Sequence, residues 1–357
     1  MIILFSEHEG FYRDLGLLDR SGLIYVFDGL RFYNKKHSFF YRFDAFVCAF
    51  YTMPHNVILT TKFKRLNKKT ILCSDGVFEF SNAIDNEMVK KYGVMLFHPI
   101  IQDYFLCVGE EERKYFNETV LALRYVPERM LSKKDLIKLP ESKRTLITTA
   151  NTAYFTVQEF SRLEKLILDV VFLLIENSIE FSFRFFDERL LASINDVLDV
   201  DIINDIHNDF EETIESYSSV ITTPSSIAIT SMYHQRAVSL LVYRDKPMFL
   251  QAGWLTPSSD VLRDTLYDFV NLNSERIAIQ NNLVKSYFTE NGITDHIENI
   301  IGLDLAVRKR MEDNYINKSL LNMLESRFNI NIEWFARKLY IRVRNNSVVK
   351  RIRLKIR

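Results

Sequence analysis

Two small hydroxyls stand where an apolar run gives way to a helix. In "SSVITTPSSIAITSMYHQRA" (218–237), Val220-Ile221-Thr222 reads as the end of a buried strand, Thr223-Pro224 as the turn, and Ser225-Ser226 as the N-cap of the next helix. A helix start leaves its first N–H groups unpaired and carries partial positive charge, which suits a phosphate. Serines add donors there without blocking approach; a Ser cap with only local work is the plainer alternative. A second strand candidate, "IEFSFRFF" (179–186), carries Arg184 near its end and is followed by "DERL". A guanidinium can bond a phosphate through two N–H groups at once. Thr223, Ser225, Ser226 and Arg184 therefore form the expected phosphate-binding set.

Such residues need a sheet whose strands all end on one side. From residue 144 the chain alternates: "RTLITTA" as strand, then "TVQEFSRLEKLILDVVFLLIEN" with apolar residues at 160, 163, 166, 167, 170, 171 and 174 on one helical face. "IEFSFRFF", "SSVITTP" (218–224) and "VSLLVYR" (238–244) supply further strands. Strand and helix in turn predict βαβ units on a parallel sheet, with ligands beyond the strand ends. The first third reads as a second such half, from "IILF", "GLIYVF", "DAFVCAF", "NVILT", "TILCS", "GVMLF" and "DYFLCVG". "RYVPERMLSKKDLIKLPESKR" (124–144) is polar, holds two prolines and reads as the crossing segment. The expected fold class is α/β, with two Rossmann-like domains facing a cleft. One covers 1–130 and the other 131–310, and a C-terminal helix and basic tail follow over 311–357. "DVLRDTLYDFVNL", "SERIAIQNNLVKSYF" and "KSLLNMLESRF" are the helical segments expected after residue 255.

The totals narrow the function. A chain of 357 residues fits two domains of ordinary size. Lys and Arg number 46 against 46 Asp and Glu, so bulk charge gives no case for nucleic-acid binding. Cys48, Cys73 and Cys107 lie in apolar runs and read as buried thiols in a reducing compartment. No metal-ligand spacing occurs. "MIILFSEHEGFYRD" lacks the basic lead-in of a signal peptide, and the apolar run 166–175 is broken by Asp169. A cytoplasmic protein is expected.

Three short motifs occur in order: "CSDG" (73–76), "FHP" (97–99) and "PSS" (224–226). Their order and strand-end setting resemble the GT-B glycosyltransferases, and within them the bacterial sialyltransferases and polysialyltransferases. Those enzymes carry an acidic-acidic-Gly motif with the base, a His-Pro motif contacting CMP, and a Ser-Ser motif holding the phosphate. The resemblance implies Asp75 as catalytic base, Gly76 as the turn that supports it, and Ser225 and Ser226 as donor-phosphate ligands. Ser74 stands where the family has its first acid. His98 and Arg184 are rival partners of the leaving nucleotide, Arg184 for binding and His98 as general acid. No metal and no cofactor are implied, since a CMP-sugar leaves with a single phosphate.

The implied function is transfer of a sugar, a nonulosonic acid such as sialic acid, from a CMP donor in bacterial surface polysaccharide synthesis. The acceptor would be a glycan or lipid-linked glycan. A UDP-sugar or CDP-polyol transferase, a non-catalytic glycan-assembly partner and a UDP-sugar epimerase stay open. Glu79 could assist or replace Asp75 but reads rather as a surface residue at a helix start, and His234 as exposed or locally packed; Gln251 and Trp254 could border the nucleotide pocket, with Trp254 more often simply core. The tail "ARKLYIRVRNNSVVKRIRLKIR" (336–357) has nine basic residues and no acid. It would be drawn to an anionic membrane surface, or would serve only solubility.

Overall fold

The computed structural model describes residues 1–18, 22–50, 54–90, 95–198, 202–288, 300 and 339. Six parallel strands make the first sheet: β1 (Ile2–Phe5), β2 (Ile24–Val26), β3 (Ala45–Cys48), β4 (Lys69–Cys73), β5 (Tyr104–Cys107) and β6 (Leu121–Arg124), in the order β2-β1-β3-β4-β5-β6. Five more make the second: β7 (Thr145–Thr148), β8 (Phe181–Arg184), β9 (Ser219–Thr222), β10 (Ala237–Leu241) and β11 (Trp254–Thr256), in the order β11-β10-β9-β7-β8. Every residue of β3, β5, β7, β9 and β10 is buried. Helices thus cover both faces, which is why these strands read as unbroken apolar runs rather than alternations. Strand order reverses between β1 and β3 and again between β7 and β9. These two switch points are where doubly wound sheets open a ligand crevice.

The helix Val157–Glu176 buries all seven positions that its periodicity selects, packed on Ile147, Phe183 and Ile221 of the second sheet. Its start is fixed twice: Thr156 accepts from the Glu159 N–H, and the Glu159 carboxylate accepts from the Phe155 N–H at 2.8 Å. The two sheet units share an apolar cluster. Val77, Val108, Val126 and Met130 from the first side pack with Ala228, Ile229, Met232 and Leu240 from the second. The helix Ser274–Tyr287 joins that cluster through Tyr287, and Arg124 Nη1 bonds the Ser286 carbonyl at 3.3 Å.

Several sequence expectations change. "NVILT" lies inside the helix Pro54–Arg65 rather than in a strand, because Pro54 suits a helix start and Leu59 and Phe63 bury one face. A five-residue apolar run is equally compatible with either element. Met95–Phe97 of "GVMLF" forms a bridged turn with His98. β6 and β11 are strands that the patterning did not reveal. "KSLLNMLESRF" and all of the 336–357 tail but Leu339 lie outside the described residues. Among those described, no helix is long and apolar enough to cross a membrane.

Candidate functional site

The N-terminus of the helix Ser226–Tyr233 opens at the β7/β9 switch point. Thr223 Oγ1 accepts from the Ala150 N–H at 2.8 Å, so the loops that leave β9 and β7 are tied together there. Ser225 is the N-cap with extended backbone, yet its hydroxyl caps nothing. It is only 7% exposed, and its Oγ has no hydrogen-bond partner. Buried hydroxyls are almost always satisfied, so this one marks a place where a ligand's acceptor would belong. Ser226 stands beside it, half-buried. A half-buried helix start with an unused donor is an arrangement that could cradle an anion.

Asp75 lies in the loop that follows β4, half-exposed, with Arg129 Nη2 3.3 Å from its Oδ2. Arg129 also donates to the Asp75 carbonyl. The loop is fastened along its length. Tyr125 donates its hydroxyl proton to the Ser74 carbonyl, the Ser74 hydroxyl bonds the Gly76 carbonyl, and the Phe78 N–H is held by Glu112 at 2.7 Å. A Cβ at Gly76 would meet nothing, so this position leaves the carboxylate open to approach rather than meeting a backbone need. The link to the cradle is short. Met130, next to Arg129, accepts from the Thr230 hydroxyl, one turn into the Ser226 helix, and Val77 packs in the same cluster as Ala228.

Ser74 cannot act as a second acid, but its buried hydroxyl shapes the turn from within. Glu112 fastens the loop from the far side. Its carboxylate accepts the N–H groups of Phe78 and Val108, at 2.7 and 3.2 Å. Burial pushes its carboxyl up to about 8 against those bonds. Between that value and the ordinary 4.5 the folded chain holds a proton that the unfolded chain has released, so this group's contribution to stability rises as pH falls. Wild type is therefore expected to gain melting temperature relative to Glu112→Gln as pH drops from about 8.5 to about 5.5. A difference that stays flat across the range would show that Glu112 does not titrate there.

His98 sits on the flank of the same loop. Its Nδ1–H donates to the Leu96 carbonyl at 2.9 Å, which leaves Nε2, in the neutral ring, to accept from the Tyr115 hydroxyl at 2.8 Å. Its ring lies 6.0 Å from that of Phe78, at the seam where Phe249 of the second unit packs on Phe78, Phe80 and Tyr115. Arg184 is otherwise engaged. It is 5% exposed, and its guanidinium donates to the Asp205 and Asn208 carbonyls and to Thr213 Oγ1, at 2.5, 2.8 and 3.2 Å. The 205–213 stretch thus occupies both terminal nitrogens of Arg184, while its Nε has no hydrogen-bond partner.

Other expectations shift as well. Glu79 is not a surface residue: it pairs with Arg244 across the units at 2.7 Å. His234 is fully buried, accepting from the Ile137 N–H at Nδ1 and facing Glu211 through Nε2 at 3.2 Å. Trp254 is core, edge-on to Phe269, and Gln251 is exposed. All three cysteines are free and buried.

Glu7 is a residue that the motif reading passed over. It follows β1 at the first switch point and accepts from the Tyr12 hydroxyl, from Asn56 Nδ2 at 3.2 Å and from the Ala49 N–H at 3.3 Å. Burial raises its carboxyl above the ordinary range. The only sequence signal was an acid placed directly after an apolar strand in "IILFSEHEG".

No family model matches the chain, and no curated protein matches it. Solved structures do. The chain is similar to the S. aureus MnaA protein in complex with UDP, at 10% identity over 86% of this chain and 98% of that one, with a TM-score of 0.56. It is also similar to the UDP-GlcNAc 2-epimerase of Methanocaldococcus jannaschii bound to UDP-GlcNAc and UDP, at 13% identity over 84% of this chain and 98% of that one, TM-score 0.52. At such identities the likeness concerns the fold, and with the two parallel sheets it identifies the architecture as GT-B, two Rossmann-like units in one chain.

Proposed function

We propose that the protein is a glycosyltransferase that moves a sugar, a nonulosonic acid such as sialic acid, from a CMP donor to a glycan hydroxyl. The observation that carries this reading is the unpartnered, buried Ser225 hydroxyl at an open helix start, joined through Met130 and Thr230 to the loop that bears Asp75. The acceptor oxygen attacks the anomeric carbon as the bond to the donor phosphate breaks. Asp75 takes the hydroxyl proton, and CMP departs with the bonding pair on its phosphate oxygen. Ser225, Ser226 and the helix N–H groups stabilise that growing charge, which is where fixed donors act most strongly. His98 would protonate the departing phosphate only as the imidazolium, in which Nε2 as well as Nδ1 carries a proton. Attack opposite the leaving group inverts the anomeric centre.

The acceptor belongs on the first unit, beyond the strand ends at the β1/β3 switch point. A lipid-linked or membrane-extruded glycan made at the inner membrane face fits this arrangement. The basic stretch 336–357 would then hold the enzyme near anionic lipid.

A thermal-shift screen against CMP, CDP, UDP, GDP and ADP tests the donor. A ligand bound only to the folded state at a hundred times its Kd adds about 2.7 kcal/mol. CMP is expected to stabilise the wild type. Each hydrogen bond to a charged phosphate contributes about 1.5–3 kcal/mol, so Ser225→Ala with Ser226→Ala should weaken CMP by roughly 10²-fold or more. If the double variant binds CMP as tightly as wild type, the serines are only a cap.

A second reading has its own support, because both structural neighbours described above are complexes with UDP, one of them a UDP-GlcNAc 2-epimerase. Stabilisation by UDP alone, with UDP-GlcNAc converted in the absence of any acceptor, would decide for an epimerase.

A further inference from the structure

Four side chains from outside the loop Ser74–Glu79 fasten it. Tyr125, Arg129 and Glu112 belong to the first unit or to the chain just leaving it. The fourth comes from the second unit. We propose that Arg244 is a positioning residue, reaching across the seam to Glu79 and setting where the Asp75 loop stands relative to the Ser225-Ser226 cradle. This rests on the roles proposed for Asp75 and the serines.

Arg244 follows β10 and is rigidly held on its own side. Its Nη2 donates to the Ala153 carbonyl at 2.6 Å, and its Nε lies 3.6 Å from Glu159 Oε1. Its guanidinium carbon sits 5.3 Å from the Phe155 ring and 5.1 Å from that of Tyr243. Glu159 is itself fixed by the Phe155 N–H at 2.8 Å, at the start of the long helix. One edge of the guanidinium is left, and Nη1 presents it to Glu79 Oε2 at 2.7 Å. The contact is dry: the side chains of Arg244, Glu79 and Glu159 are 8%, 16% and 6% exposed. An antiparallel backbone bridge from Glu79 to Met248 reinforces it, and Lys246 Nζ lies 3.6 Å from Asp85 Oδ2 just beyond.

The same junction adjoins the cradle. A small cavity between the units is walled by Glu79 and Ser81 on one side and by Pro224, Arg244 and Lys246 on the other, and Pro224 directly precedes Ser225. Charge explains why the pair holds. Opening the seam at Glu79 would separate a buried ion pair and leave Glu79 short of counter-charge, while Arg244 kept Glu159. A general base displaced by as little as about 1 Å can lose some 10²-fold in rate with little effect on donor binding.

The test uses the full chain with Glu79→Gln, which keeps the shape and removes the charge, and Arg244→Lys, which keeps the charge and removes the fork. Amide hydrogen exchange over residues 74–80, the Kd for CMP and turnover of CMP-sialic acid are measured for each. Losing a charge-assisted bond is expected to raise local opening of 74–80 by about tenfold or more. Turnover should fall by about 10²-fold while KM for the donor and Kd for CMP stay close to wild type. Exchange at 74–80 that matches wild type in both variants would overturn the proposal. So would an increase spread equally over the second sheet, which would assign Arg244 to general stability. If wild type binds no CMP the donor reading falls by itself, and the exchange comparison still decides the role of Arg244.

Discussion

Asp75→Asn is expected to lower sugar transfer by about 10²–10⁴-fold, the range over which a positioned proton acceptor acts. CMP binding should be unchanged, because the cradle lies on the other unit. Asparagine has nearly the same shape and keeps an oxygen for Arg129, but it cannot take a proton from the acceptor hydroxyl. Folding should hardly respond. The Asp75–Arg129 pair is half-exposed at 3.3 Å, and such pairs contribute little to stability. The measurement is single-turnover transfer from CMP-sialic acid alongside the CMP thermal shift. An Asp75→Asn enzyme that retains most of its transfer rate would place the base elsewhere. Glu7 is then the next carboxylate to replace, since it lies two residues past β1 at the other switch point and its buried carboxyl is already raised by loss of water.

The fold was largely legible because buried parallel strands and one long amphipathic helix leave strong patterns. The helix Val157–Glu176 shows its core face in seven spaced apolar residues, and "RTLITTA" and "SSVITTP" contain β7 and β9 and overrun the end of each by two residues. Short elements were less legible. β11 has three residues, two buried around an exposed Leu255, and "NVILT" reads as strand until Pro54 and the buried Phe63 make it helix. The placement of the serines at 225 and 226 was visible because it depends on local position, a strand end followed by a helix start. The roles of Arg184, Glu79 and His234 depend on contacts with residues 21, 165 and 23 positions away, and no local pattern encodes those. Arg184 illustrates the limit: its residue type suits a phosphate, yet three acceptors of the 205–213 loop reach it first.

Replacing Arg236 should have the largest effect on stability. It is fully buried and donates to the carbonyl oxygens of Ile137, Lys138, His234, Ile214 and Tyr217 at 2.6–3.3 Å. No carboxylate touches it among these contacts; backbone dipoles surround the charge, and Glu215 favours it from farther off. Burial accordingly pulls it down to about 10 from its ordinary 12.5, still protonated at neutral pH. Three separate chain segments converge on this side chain: the end of the crossing stretch, the turn before β9, and the C-terminal cap of the Ser226 helix. Arg236→Met would leave these carbonyls buried without donors, at a cost of about 3–5 kcal/mol by analogy with broken buried ion networks. Arg236→Lys should recover little, because one ammonium with three donors cannot span a set that a planar fork reaches from both sides. Differential scanning calorimetry measures it: a drop of roughly 10 °C is expected for a unit of this size. A melting point close to wild type in both variants would mean that water or a shifted loop satisfies those carbonyls, and the convergence of three segments on Arg236 would then not be what anchors the helix behind Ser225.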